Sequence, residues 1–334
     1  MLKCLKKTKF IFPSLILVIL LNVSTVFAGS FNVEKISSLP EVRSHGGAEY
    51  VNGKVYIVAG AQSTSQMLNT TVVYDPATNQ ASLGANIPTA RYTIGETATM
   101  GDKIYVAGGN VGIAQSNAFE VYDTARNTWS KLANLTTARF GVSMAAYNDE
   151  IYIFGGKYDV SDIKTVEKFS PSTNTWSSMK GLTNARRYAG SAVIGNQIFI
   201  FGGGIGSTLT PVNSVEVYTP STNTWTTKSN IPTPRWGFNT VLKGSKIYLI
   251  GGMNTTGYVT QIDVYDTLTD SWSTLGCKLP EGLSFSSGSL VDDTMYLFGG
   301  SNAAGFSNTI YSFNLTDISC PTLQASNDSI NSLT

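Results

Sequence analysis

Arg139-Phe140-Gly141-Val142-Ser143-Met144-Ala145-Ala146-Tyr147, then Asn148-Asp149-Glu150, then Ile151-Tyr152-Ile153-Phe154-Gly155-Gly156: this run, continued by Val166-Glu167-Lys168-Phe169 and Ser170-Pro171-Ser172-Thr173-Asn174-Thr175-Trp176, decides the fold. After Arg139-Phe140-Gly141, a small and apolar run leads to Tyr147. Asn148-Asp149 is a turn, and the solid apolar run that follows is a strand stopped by two glycines. Val166 to Phe169 alternates, and a Pro/Ser/Asn-rich turn leads into Trp176. Strand residues are β-branched and aromatic, while Gly, Pro, Asn and Asp sit where the chain must reverse. Four short antiparallel strands in under fifty residues make a sheet that needs other sheets to cover both of its faces.

Those sheets are encoded on either side. Arginines open equivalent units at Arg43, Arg91, Arg139, Arg187 and Arg235, a constant spacing of 48 residues. Glycine pairs recur at Gly108-Gly109, Gly155-Gly156, Gly202-Gly203, Gly251-Gly252 and Gly299-Gly300, with Ala59-Gly60 in the first copy. Trp129, Trp176, Trp225 and Trp272 repeat, with Ala81 in the first copy; before them stand Tyr74, Tyr122, Phe169, Tyr218 and Tyr265. A period near fifty with several strands per copy signals radial repetition. No stretch after residue 30 holds helical three-and-four spacing over three turns. The pattern resembles the Kelch repeat across nearly the whole chain after its first thirty residues. The resemblance implies an all-β, six-bladed β-propeller of four-stranded blades.

Closure is also legible. Val33, Ile36 and Leu39 precede Arg43 with the spacing that Leu132 and Leu135 keep before Arg139, so this segment reads as an outer strand without its own first three. The last unit, from Ser286 to Phe313, supplies three strands. Joining the two makes a sixth blade from both chain ends and removes free sheet edges. A rival closure puts Cys320, at the tryptophan spacing, on a C-terminal fourth strand; the N-terminal strand matches more landmarks.

The domains expected are therefore 1–28, 29–318 and 319–334. Residues 1–28 carry Lys3, Lys6, Lys7 and Lys9, an apolar run from Phe10 to Val26, and small residues around Ala28. They read as a secretory signal cleaved after Ala28, giving a secreted or periplasmic protein; an uncleaved anchor is the alternative. Cleavage removes four lysines and no acids, taking the net charge from +1 to −3. No later apolar stretch suits membrane insertion, and no basic stripe suits nucleic acid. Residues 319–334 read as a polar tail. Cys277 and Cys320 either pair after export or remain free thiols.

His45 is the only histidine. A metal centre built on several imidazoles is excluded within one chain, which separates this sequence from the galactose-oxidase relatives of the fold. Nothing around Ser44-His45-Gly46 resembles a nucleophile elbow. The glycine pairs end strands and precede no helix, so they form no phosphate cradle. No cofactor is expected.

In Kelch propellers, connections from the fourth to the first strand and from the second to the third emerge on one face around the channel. The resemblance places Ser44, Arg91, Tyr92, Arg139, Phe140, Arg187, Tyr188, Arg235 and Trp236 there as ligand-binding residues, with Ser284 or Phe285 completing the circle. Aromatic faces and guanidinium groups suit sugars, apolar peptide side chains and carboxylates. The competing reading has the arginines bonded to carbonyls or to the repeated acids Glu120, Glu167, Glu216 and Asp263. Under the ligand reading, Arg139→Ala or Trp236→Ala weakens association and leaves the melting temperature nearly unchanged. Glu96, and similarly Glu49, stand where other copies have small residues, so they are expected to project into the channel.

The function expected is a non-catalytic, exported binding module whose partner is a protein segment or a glycan. Two alternatives are a cofactor-free sugar epimerase using Glu96, as periplasmic sialic-acid epimerases share this architecture, and an extracellular structural spacer.

Overall fold

The computed structural model describes residues 32–316; the expected signal segment, the polar tail and Cys320 lie outside the described residues. Six antiparallel sheets of four strands each form the blades of a propeller, with no helix among the described residues. Blade 3 is representative, with strands Ser143–Tyr147, Glu150–Phe154, Val166–Ser170 and Thr175–Met179 in sequential order.

The apolar second strand is explained by cover on both faces. Ile151 and Ile153 pack against Phe119 and Val121 of blade 2, whereas Tyr152 and Phe154 pack against Ile198, Ile200 and Tyr218 of blade 4. Alternate residues thus feed two cores, and a strand buried on both sides loses its polar alternation. The innermost strands of adjacent blades touch around the whole ring, including the last blade against the first.

The ring closes as expected. Glu34–Ser38 pairs antiparallel with Gly305–Asn314, Glu34 opposite Ser312 and Ser38 opposite Thr309, with a bulge between Lys35 and Ser37. Blade 6 therefore runs Ser287–Val291, Thr294–Asn302, Gly305–Asn314, Glu34–Ser38.

Neighbouring blades are stitched by a repeated bond. The second residue of each glycine pair donates its N–H to the next blade: Gly60 to Arg91 O at 2.9 Å, Gly109 to Arg139 O at 2.8 Å, Gly156 to Arg186 O at 2.9 Å, and so around to Gly300 and Arg43 O at 2.8 Å. The first glycine makes this approach possible: at Gly108, with φ +61°, a Cβ would sit 2.2 Å from Arg139 O. The tryptophans add a second stitch, Trp176 Nε1 donating to Ala133 O at 2.8 Å and Trp225 Nε1 to Lys180 O at 2.8 Å. Cys277, on the outer strand Ser271–Lys278, is disulfide-bonded.

Candidate functional site: the axial cavity and its aromatic collar

The repeated arginines are not rim residues. Arg43, Arg91, Arg139, Arg186 and Arg235 are at most 1 % exposed and lie inside the blades. Arg91 pairs with Glu120, Arg139 with Glu167, Arg186 with Glu216 and Arg235 with Asp263. Each also donates to backbone carbonyls, Arg186 to Gly202 O at 3.0 Å and Arg235 to Gly251 O at 3.1 Å. Their work is to satisfy strand ends that no water reaches, so the ligand role expected of Arg91, Arg139 and Arg235 is corrected to a structural one. In blade 1, Val72 replaces the strand acid, and Glu41 supplies the carboxylate to Arg43 from the preceding loop at 2.5 Å.

The fourth copy also needs correction. Arg186, not Arg187, is the counterpart of Arg139. Ser44, Tyr92, Phe140, Arg187, Trp236 and Ser284 each form the same backbone bridge, to Ala61, Asn110, Lys157, Gly204, Met253 and Ser301. Arg187 therefore occupies the position next to the repeat arginine. It is 5 % exposed, pairs with Asp162, donates to Gly206 O at 3.0 Å and lies 5.8 Å from the Tyr188 ring centre. Ser44 is 1 % exposed, its hydroxyl 2.8 Å from that of Ser301, and Trp236 is 6 % exposed, so neither presents a free surface. Tyr92 and Phe140 are half-buried.

The next position along surrounds the axis: His45, Thr93, Gly141, Tyr188, Gly237 and Phe285. Backbone bonds link it from blade to blade, Phe285 N to Gly237 O at 2.8 Å, Tyr188 N to Gly141 O at 2.8 Å and His45 N to Phe285 O at 3.0 Å. All six residues hold positive φ, between 52° and 67°. Glycine adopts this conformation freely, whereas other residues pay about 1–2 kcal/mol. Blades 3 and 5 use glycine; blades 1, 4 and 6 carry rings in spite of the cost. The Phe285 ring stacks on His45 at 3.9 Å and meets Tyr188 edge-on at 4.8 Å. It lies over Gly237, where a Cβ would come within 2.7 Å of it. Strain held this way belongs to positions whose side chains are used.

Beneath the collar is a cavity of about 430 Å³. It extends to the opposite end of the inner strands, where Tyr50 and Leu242 line it and are 38 % and 36 % exposed. Glu96 and Glu49 both line it, in the place expected for them. Glu96 gets there through an extra residue. Asp102, in the turn of blade 2, lies eleven positions after Arg91, whereas Asp149 in blade 3 lies ten after Arg139. The inner strand of blade 2 is shortened to Ala98–Met100, and the segment before it bridges to blade 3 instead, Gly95 opposite Val142 and Glu96 N donating to Val142 O at 3.0 Å. The Glu96 carboxylate accepts the N–H of Ser191 at 2.8 Å and of Met144 at 3.1 Å, bridging three blades. Burial pushes its pKa up to about 7, and the nearby Glu49 pushes the same way. Burial also raises Glu49, which accepts a hydrogen bond from Thr97 at 2.7 Å, and holds His45 down to about 3, a neutral ring. Among the described residues, no lysine or arginine lines the cavity. Ser287, Ser289 and Asn239 complete its polar wall; sequence reasoning missed all three because they look like ordinary strand residues.

A family model described as the KLHDC2/KLHL20/DRC7 Kelch-repeats domain matches residues 19–156, 47–228 and 188–332. The chain belongs to the Kelch-repeat family. Its propeller is also similar to a solved structure titled "Structure of YjhT", with a TM-score of 0.71 at 17 % identity, covering 83 % of this chain and 97 % of that one. That likeness is one of fold. No curated protein matches the chain.

Proposed function

We propose that this Kelch propeller is a non-catalytic binding module, working after export, that takes the end of a glycan chain into its axial cavity. The observation that carries the proposal is the collar: rings kept at strained positions over a cavity whose walls are hydroxyls, an amide and carboxylates. Ring faces and hydrogen-bonding groups of both polarities suit the alternating apolar and hydroxyl surfaces of a sugar. The test is Phe285→Gly. Glycine relieves the positive φ, so the melting temperature is expected to hold within about 3 °C while binding on a glycan array and in titration calorimetry is lost. Unchanged binding by this variant, or no glycan bound by the native protein, overturns the proposal.

A protein segment is the second reading, favoured by a different feature. The loops between second and third strands of blades 2, 3 and 4 are cross-linked: Gln115 and Asp159 exchange bonds of 3.1 and 2.7 Å, and Asp162 holds both Arg187 and Gly206 N. This rigid platform displays Ile113, fully exposed, with Val160 and Tyr158. Loss of a captured protein partner from an Ile113→Ser/Val160→Ser variant, with glycan binding intact, supports this reading and separates it from the first.

The catalytic alternative rests on Glu96, whose pKa of about 7 suits proton transfer at neutral pH. It requires isomerisation of a sugar by the native protein that Glu96→Gln abolishes while binding survives.

A further inference from the structure

The axial cavity has an electrostatic asymmetry that narrows its ligand. Two carboxyl groups, Glu49 and Glu96, line one space, and the Glu49 charge opposes ionisation of Glu96. The cation supply that would ordinarily neutralise them is elsewhere: the blade arginines are committed to Glu41, Glu120, Glu167, Glu216 and Asp263, and Arg187 to Asp162. The other titratable groups lining the cavity are His45, held neutral, and the hydroxyls of Tyr50 and Tyr188.

A second feature points to the same space. Ser287 and Ser289, 4 % and 7 % exposed, line the cavity from blade 6, and neither hydroxyl is committed to a hydrogen bond among the described residues. Buried hydroxyls are nearly always satisfied in folded proteins, so free ones around a cavity indicate groups that a ligand satisfies. Among the described residues no three histidines, cysteines or acids come together as a metal cage would require.

Resting on the reading of the cavity as a glycan site, we infer that the sugar unit it accepts carries a free protonated amine, held by Glu49 and Glu96, with its hydroxyls on Ser287 and Ser289. An ammonium donates three hydrogen bonds and returns the positive charge that the cavity lacks. An N-acetylated sugar brings a neutral, bulkier group to the same place, and an acidic sugar brings a third negative charge, which the carboxylates repel.

The experiment compares three oligomers of equal length by titration calorimetry at pH 7.5: β-1,4-linked glucosamine, its fully N-acetylated form and β-1,4-linked glucose. The glucosamine oligomer is expected to bind at least ten-fold tighter than either of the others. That preference is expected to shrink when salt rises from 50 to 500 mM, and when pH falls to 5.5 and Glu96 takes up a proton. Glu49→Gln and Glu96→Gln are each expected to remove most of the preference; if one variant fails to fold, the other and the salt series decide. Equal or tighter binding of the acetylated or glucose oligomer overturns the inference and leaves the glycan reading standing. If none of the three binds, both fall, and tight binding of a lysine-bearing peptide in their place would reassign the carboxylates to a protein ligand.

Discussion

Replacing Arg235 with methionine separates a structural arginine from a ligand-binding one. Its guanidinium donates to Thr233 O at 3.0 Å, Gly251 O at 3.1 Å and Gln261 O at 2.9 Å, and pairs with Asp263; both side chains are fully buried. Burial lowers the Arg235 pKa, and the Asp263 charge works against that shift. Methionine fills much of the volume but leaves Asp263 with only the Thr274 hydroxyl, at 2.5 Å, and orphans three carbonyls. Removing one partner of a buried pair costs about 3–5 kcal/mol, because the remaining charge stays buried without compensation. For a chain of this size that corresponds to a drop in melting temperature of roughly 5–8 °C.

The assay is thermal unfolding alongside glycan titration below the transition. The single variant is expected to lose stability by that amount and to retain native affinity. The double variant Arg235→Met/Asp263→Leu is expected to recover at least half of the loss, since the uncompensated charge is then gone. A single variant that melts within 2 °C of the native protein yet loses its ligand would refute the reasoning and restore the arginines to the rim. Arg139→Ala is expected to behave like Arg235→Met, the reverse of what a rim position requires.

Glu96 makes stability depend on pH. Its carboxyl sits at about 7 in the fold, whereas in the unfolded chain it ionises near 4.3. Its contribution is therefore full below that lower value and is lost as pH rises through 7, so Glu96→Gln is expected to gain on the native protein by up to about 3 kcal/mol between pH 5 and pH 8 in urea titrations. A gap independent of pH would show that the carboxyl is not buried. Deleting Glu34–Ser38 exposes the edge of Gly305–Asn314. Light scattering is expected to show association of the truncated chain, and a monomer with native melting temperature would contradict the closure. Trp225→Phe keeps the ring and removes the bond to Lys180 O; a loss of about 0.5–1 kcal/mol is expected in urea unfolding, and none if water replaces the bond fully.

The propeller was legible because each landmark answers a demand made in every blade. Gly155-Gly156 permits the neighbouring chain's approach, Trp176 reaches across to Ala133, and Ile151 to Phe154 must be apolar on both faces. The same regularity hid the site. Arg139 recurs because its blade needs a buried donor, so recurrence marked structure where the rim reading took it for function. In the fourth copy the doublet Arg186-Arg187 let an even count of 48 select the wrong arginine, although the glycine pairs, 47 apart from Gly155 to Gly202, carried the correct register. Tyr188 and Phe285, expected at the rim, sit one place past the position that Tyr92, Phe140 and Trp236 share, and no residue pattern distinguishes a positive φ held by tyrosine from one held by glycine.

Function in a closed ring of repeats is to be sought where a copy departs from the others. Six equal blades would give an axis lined by six equal residues, with no means of orienting an asymmetric ligand. This ring breaks that equality three times around one cavity. Blade 2 spends an extra residue to aim Glu96 at the axis; blades 1 and 6 place Glu49 and Ser289 where blades 2, 3 and 4 carry Ala98, Ala145 and Ala192; blades 1, 4 and 6 replace glycine by His45, Tyr188 and Phe285. None of these departures strengthens its blade, and positive φ held by a residue other than glycine weakens it. Buried arginine pairs and inter-blade stitches, which the departures leave intact, make the scaffold stable enough to carry them. On the proposed function, the polar wall, the carboxylates and the rings have a common cause in what the cavity holds.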